Sequence, residues 1–161
     1  MADLRMTLLA LAACGSPDAL PAQPERRSSI RPPATWQALP AIAQSARAAA
    51  RAPGVAVEGS EAWGEPAMGC YAAWIALRGS TDTAEQLAER IRDGLGAAGI
   101  VAANDPGDGL AWTVERAPYR GRLRARIGAD DGGIEALACV ANEREPAACA
   151  AACAPLVEAL R

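Results

Sequence analysis

Apolar residues recur at helical spacing most regularly at Ala84, Leu87, Ala88, Ile91, Leu95 and Ala98, with charged residues between them. This predicts an amphipathic helix with one face turned to a core. Asp82-Thr83-Ala84-Glu85 has the form of a capping box with Asp82 as the cap, and Gly99 is a natural stop. Ahead of it, Tyr71, Ala73, Ile75 and Leu77 alternate with Ala72, Trp74 and Ala76, and both sets are apolar. A strand covered on both faces is expected there, starting at Cys70 and broken by Gly79. Beyond the helix the period is two. Ile100 to Ala103 is a short strand piece, Leu110 to Arg116 sets Leu110, Trp112 and Val114 on one face, and Arg120 to Ile127 alternates strictly. The turn Asp130-Asp131-Gly132-Gly133 then leads into Ile134 to Ala141, the signature of a β-hairpin.

Two weaker helical stretches flank these elements. Pro40 suits a first helical turn and opens a stripe of Ile42, Ala46, Ala49 and Ala50, with Leu39 just ahead, that ends before Pro53 and Gly54. Pro146 opens another that runs to about Leu160, where Pro155 should bend or interrupt it. Val55 to Glu58 reads as a short strand, and Trp63, beside Gly64 and Pro66, as the most exposed of the tryptophans. The order predicts an α+β domain: a small two-layer sandwich, loosely ferredoxin-like, with an antiparallel sheet and helices on one face. Residues 15–34 are rich in proline, arginine and serine with few large apolar side chains, and read as a flexible tether.

The 161 residues fit one domain. Much of the apolar content is alanine, so the core is thin and covalent staples gain weight. Lysine, phenylalanine and histidine are absent. Without imidazole there is no Ser-His-Asp triad, no His-ligated zinc and no Cys-x-x-Cys-His haem site. A net charge of −3 gives no case for nucleic-acid binding. No apolar stretch approaches the roughly 20 residues of a membrane-spanning helix.

Near the start, Arg5 precedes the apolar run Met6 to Leu11, which closes on Leu11-Ala12-Ala13-Cys14. This resembles the lipobox of bacterial lipoproteins, a signal whose small-residue cleavage site ends at the cysteine that becomes lipidated. The resemblance implies a signal peptide over residues 1–13 and a lipidated Cys14 followed by the tether to residue 34. The folded domain is then residues 35–161. Gly15 stands where an aspartate would imply retention at the inner membrane, so the family pattern implies the outer membrane.

In an exported chain, Cys70, Cys139, Cys149 and Cys153 read as a disulfide framework. Cys149 and Cys153 share one helix face, so each is expected to pair outward, one with Cys139 and one with Cys70, in an order the sequence leaves open. Arg120, Arg122, Arg124 and Arg126 alternate with Gly121, Leu123, Ala125 and Ile127, which sets four guanidiniums on one strand face, and Arg116 is expected to join them. Such a row suits phosphate or carboxylate, and equally suits a solvated strand face. Gly94-Leu95-Gly96-Ala97-Ala98-Gly99 has dinucleotide-loop spacing but ends a helix instead of opening one. Asp105, Asp108, Asp130 and Asp131 lack EF-hand spacing and read as turn residues. No cofactor or metal is implied. The expected role is non-catalytic: a membrane-anchored scaffold or binding protein engaging an anionic envelope component or a partner protein. The alternative is an envelope enzyme, or enzyme accessory, using carboxylate or serine chemistry.

Overall fold

The computed structural model describes residues 25–51, 54–128, 133–142 and 146–160. Cys14, the signal-type segment, the Asp130-Asp131 turn and Glu143-Arg144-Glu145 lie outside the described residues. The elements are β1 (Gln37–Ala38), α1 (Pro40–Ala49), β2 (Ala56–Glu65), β3 (Cys70–Arg78), α2 (Ala84–Ala97), β4 (Val101–Asp105), β5 (Asp108–Arg116), β6 (Tyr119–Ile127), β7 (Ile134–Asn142) and α3 (Pro146–Glu158). The seven strands form one sheet in the order β1-β2-β3-β7-β6-β5-β4, and every neighbouring pair is antiparallel. The molecule is a small disulfide-stapled α+β fold, as the order of elements implied.

The helices occupy both faces of the sheet. Leu87, Ile91 and Leu95 of α2 pack with Ile75, Leu77, Trp112, Val114 and Leu123. Ala43 of α1 lies on the same side, against Ala62 and Ala73. Cys149, Cys153, Leu156 and Val157 of α3 pack instead with Cys70, Ala72, Trp74, Leu137 and Cys139. These strand positions alternate with the first set and so point the other way. The expected two layers with helices on one face are therefore three layers. The reason lies in β3, whose apolar residues on both faces each need a cover.

Three further elements differ from expectation. β2 runs to Glu65, and Trp63 on it is buried. Gly59 and Gly64, which lie beyond the expected end at Glu58, sit inside the strand. At Gly59 an added Cβ would collide with the Arg26 carbonyl and press on Trp74, so glycine there permits a close backbone crossing. The crossing chain belongs to the segment that reads as tether. Ile30 is buried with Trp36 and Trp63, and the Arg26 N–H donates to the Glu58 carbonyl at 2.8 Å. The folded unit thus includes residues 26–34, because tertiary contacts bury the few apolar side chains this segment has. Lastly, α3 continues through Pro155. Pro155 and Ala151, whose carbonyl loses its N–H partner, are both exposed, so water can satisfy that carbonyl.

The ends of α2 show how local chemistry sets the frame. Its cap is Thr83, not Asp82: the Thr83 hydroxyl accepts from the Gln86 N–H at 3.3 Å, and the Thr83 N–H donates to the Gln86 side chain at 2.9 Å. Asp82 accepts from Ser80 at 2.7 Å and pairs with Arg90. At the other end Gly99 takes a positive φ of 69°. The Ile100 N–H reaches the Leu95 carbonyl at 2.9 Å and the Gly99 N–H reaches Gly96 at 3.0 Å, a Schellman motif that turns the chain into β4.

Candidate functional site

Strict alternation along β6 places Arg120, Arg122, Arg124 and Arg126 on the face that also carries α3, with Leu123 and Ala125 in the core beneath α2. Arg116 does not join them. It alternates with Glu115 on β5, and Glu115 is the residue opposite Arg120, so Arg116 projects from the α2 face with Trp112 and Val114. This corrects the expectation that the row extends across the β5–β6 turn.

Each arginine of the row meets a carboxylate. Arg120 pairs with Glu115 at 2.8 Å. Arg122 and Arg124 pair with Asp105 and Asp108 from the β4–β5 turn, and Arg126 holds Glu135 through Nε at 3.0 Å and Nη2 at 2.7 Å. Turn chemistry accounts for only part of the Asp105 and Asp108 placement, since both side chains also reach onto the strand face. Glu135 is buried and also accepts from Arg26 of the N-terminal segment. Arg26 in turn lies near Glu58 at 3.7 Å, and Glu58 accepts from Arg78 at 2.6 Å. The result is a chain of alternating charge, Arg78-Glu58-Arg26-Glu135-Arg126, that laces the N-terminal segment to β2, β3, β7 and β6.

These pairs are unequal in exposure. The Glu135 side chain is 9% exposed against 46% for Arg26, and Glu61 is 20% exposed against 84% for Arg27. In most of the pairs the carboxylate lies underneath and the guanidinium outermost, while in Arg124–Asp108 and Arg47–Glu25 the order is reversed. A guanidinium carries five donors, so Arg27 and Arg122 can hold an internal carboxylate and still donate to an anion from outside.

Cys70 is bonded to Cys149 and Cys139 to Cys153, with Cα–Cα separations of 5.4 and 5.7 Å. The pairing left open by the sequence is thereby resolved: α3 runs back across β7 from its end, so its first cysteine meets the start of β3 and its second meets β7. All four are buried. Cys14 lies outside the described residues.

One feature of the opposite face escaped sequence reasoning. Tyr71 on β3 and Tyr119 on β6 meet edge to face, ring centroids 6.1 Å apart. Burial, with a smaller contribution from Tyr119, pushes the Tyr71 phenol above its ordinary pKa. The two residues are 48 positions apart in sequence, and only the β3-β7-β6 order brings them together. Among the described residues no cluster of three or more Cys, Asp or Glu side chains is placed to hold a metal ion, and no helix is long and apolar enough to cross a membrane. Comparison with protein-family models, with curated proteins and with solved structures finds no match.

Proposed function

We propose that this is an exported protein, anchored to the outer membrane by lipid on Cys14, that acts by binding and not by catalysis. It serves as a scaffold or adaptor toward an anionic envelope component or partner protein. The observation that carries the reading is the pair of buried disulfides joining α3 to β3 and β7. Such staples belong to proteins matured in an oxidising compartment, which is where a lipobox-type signal would deliver the chain. Support for an anionic partner comes from the ion pairs of Arg26, Arg27, Arg120, Arg122 and Arg126, in each of which the guanidinium is the more exposed partner.

Intact mass of the protein from its host's membranes, before and after reduction and alkylation, tests the address. The expected species begins at an acylated Cys14 and gains four alkyl groups only after reduction. An unprocessed chain with five free thiols overturns it. The binding surface is tested separately by Arg120→Glu with Arg122→Glu, using cosedimentation with lipopolysaccharide-containing vesicles. Arg124 is unsuitable, because its side chain is only 11% exposed against Asp108. Loss of cosedimentation at an unchanged melting temperature supports the surface; unchanged cosedimentation retires it.

A further inference from the structure

The N-terminal segment lies on the sheet as a bound peptide would. Residues 25–33 are neither helix nor strand, yet they are held at successive points. Glu25 pairs with Arg47, Arg26 with Glu58 and Glu135, and Arg27 with Glu61. The Ser28 N–H donates to the Glu61 carboxylate at 3.3 Å, and Ile30 is buried with Trp36 and Trp63.

Beneath this segment the sheet forms a trough. Gly59, Ala76 and Glu135 stand in register across β2, β3 and β7. Two residues with little or no side chain leave a path along which the Arg26 guanidinium reaches a carboxylate two strands in from β2. Next to them on the same face come Glu61 and Trp74, and then Trp63. The trough thus offers carboxylates to guanidiniums and indole surface to an aliphatic side chain.

The segment can leave without stranding a charge. Glu58 also accepts from Arg78 at 2.6 Å, and Glu135 also holds Arg126 at 2.7 and 3.0 Å. A buried carboxylate left unpaired would oppose departure, and here each keeps a guanidinium. The segment joins the fold through Pro32-Pro33 and the exposed turn at Ala34 and Thr35, so no helix or strand is broken when it swings away.

We infer that this face of β2 and β3 is a peptide-binding trough, and that residues 25–31 occupy it in cis as a displaceable strap. Its partner is an extended segment of another protein, with paired arginines and an aliphatic residue three positions after the second. The strap, with Arg26, Arg27 and Ile30, is the template for that spacing. This partner is basic, unlike the anionic one proposed for the arginine row, and the inference rests neither on that row nor on the lipid address. A covalent strap competes at an effective concentration of about a millimolar. A partner therefore enters when it is locally as concentrated, or when its contacts extend beyond those of the strap.

The test uses the full oxidised chain carrying Cys14→Ser, with a protease site inserted after Ala34 and cleaved in the folded protein. A fluorescein-labelled peptide of residues 25–34 is expected to exchange into the cleaved protein, read by anisotropy. Uncleaved protein should bind it at least about tenfold more weakly, because its own strap competes. Arg26→Ala or Ile30→Ser in the peptide should each weaken binding about tenfold or more, as should Glu61→Gln in the protein. Circular dichroism follows the fold through cleavage. Loss of the fold on cleavage overturns the inference, since the segment would then be core and not a strap. A folded, cleaved protein that takes up no peptide overturns it too, as does uncleaved protein that binds the peptide equally well.

Discussion

At the scale of single residues, the arginine row illustrates what alternation can and cannot say. Period-two spacing on β6 sorts Arg120, Arg122, Arg124 and Arg126 from Leu123 and Ala125 without any structure. Their partners were not legible, because Asp105 and Asp108 come from a turn and Glu135 from the next strand, and only the folded register fixes which carboxylate meets which guanidinium. Gly59 makes the same point from the other side: the expected strand ends just before it, yet its missing Cβ is the space through which Arg26 crosses. Tyr71 gives a direct test of burial at this scale. The chain has two tyrosines, so an alkaline titration followed by tyrosinate absorbance has two phenols to resolve. One component is expected above the ordinary value of about 10, and Tyr71→Phe should remove it. Because the folded state holds the Tyr71 proton more tightly than the unfolded state, this group stabilises the fold below its unfolded pKa. That contribution fades as pH climbs through the folded one. The wild type should therefore lose more stability than Tyr71→Phe over that alkaline interval, and equal losses would count against the burial argument.

At the scale of elements, α2 was legible because its periodicity, cap and stop all agree; only the cap moved, by one residue, from Asp82 to Thr83. β2 was half legible, since its two glycines conceal an extended strand. α3 was legible as a helix but its face of the sheet was not, because covering β3 on both sides is a demand of the whole sheet. What fixes α3 to its face is the two disulfides, and they should differ in strength. Cys70–Cys149 closes a separation of 79 residues and Cys139–Cys153 one of 14. On the chain-entropy account, these bonds contribute about 4.5 and about 3 kcal/mol respectively. Alanine replacement of each pair in turn, followed by urea unfolding, should show the larger loss for Cys70 with Cys149. The reverse order would mean that native packing around α3, and not the constraint on the unfolded chain, sets what each bond contributes.

At the scale of the whole molecule, the main surprise is that residues 26–34 belong to the folded unit. A run of proline, arginine and serine carries no periodicity, so sequence alone reads residues 15–34 as tether, although Ile30 and Trp36 are buried and Arg26 sits in the ion-pair chain. If Cys14 bears the lipid, residues 15–24 separate it from Glu25, the first described residue. At no more than ~3.6 Å per residue that spacer reaches about 36 Å, roughly half the reach of the longer tether. The domain is then held close to the membrane, with its N-terminal side on β2 nearest. All four tryptophans lie in the folded part, at 36, 63, 74 and 112, and can report this distance by energy transfer to acceptor lipids in vesicles carrying the acylated protein. Transfer should fall when a Gly/Ser spacer of about twenty residues is inserted after Ala22. It should also fall with Arg26→Ala plus Ile30→Ser, which removes the Arg26 ion pairs and the buried Ile30 side chain that hold residues 26–34 and adds their length to the tether. If the inserted spacer lowers transfer and the double substitution does not, the segment is held by contacts other than Arg26 and Ile30. If neither changes it, the domain is kept at the membrane by a surface of its own and not by the length of its leash.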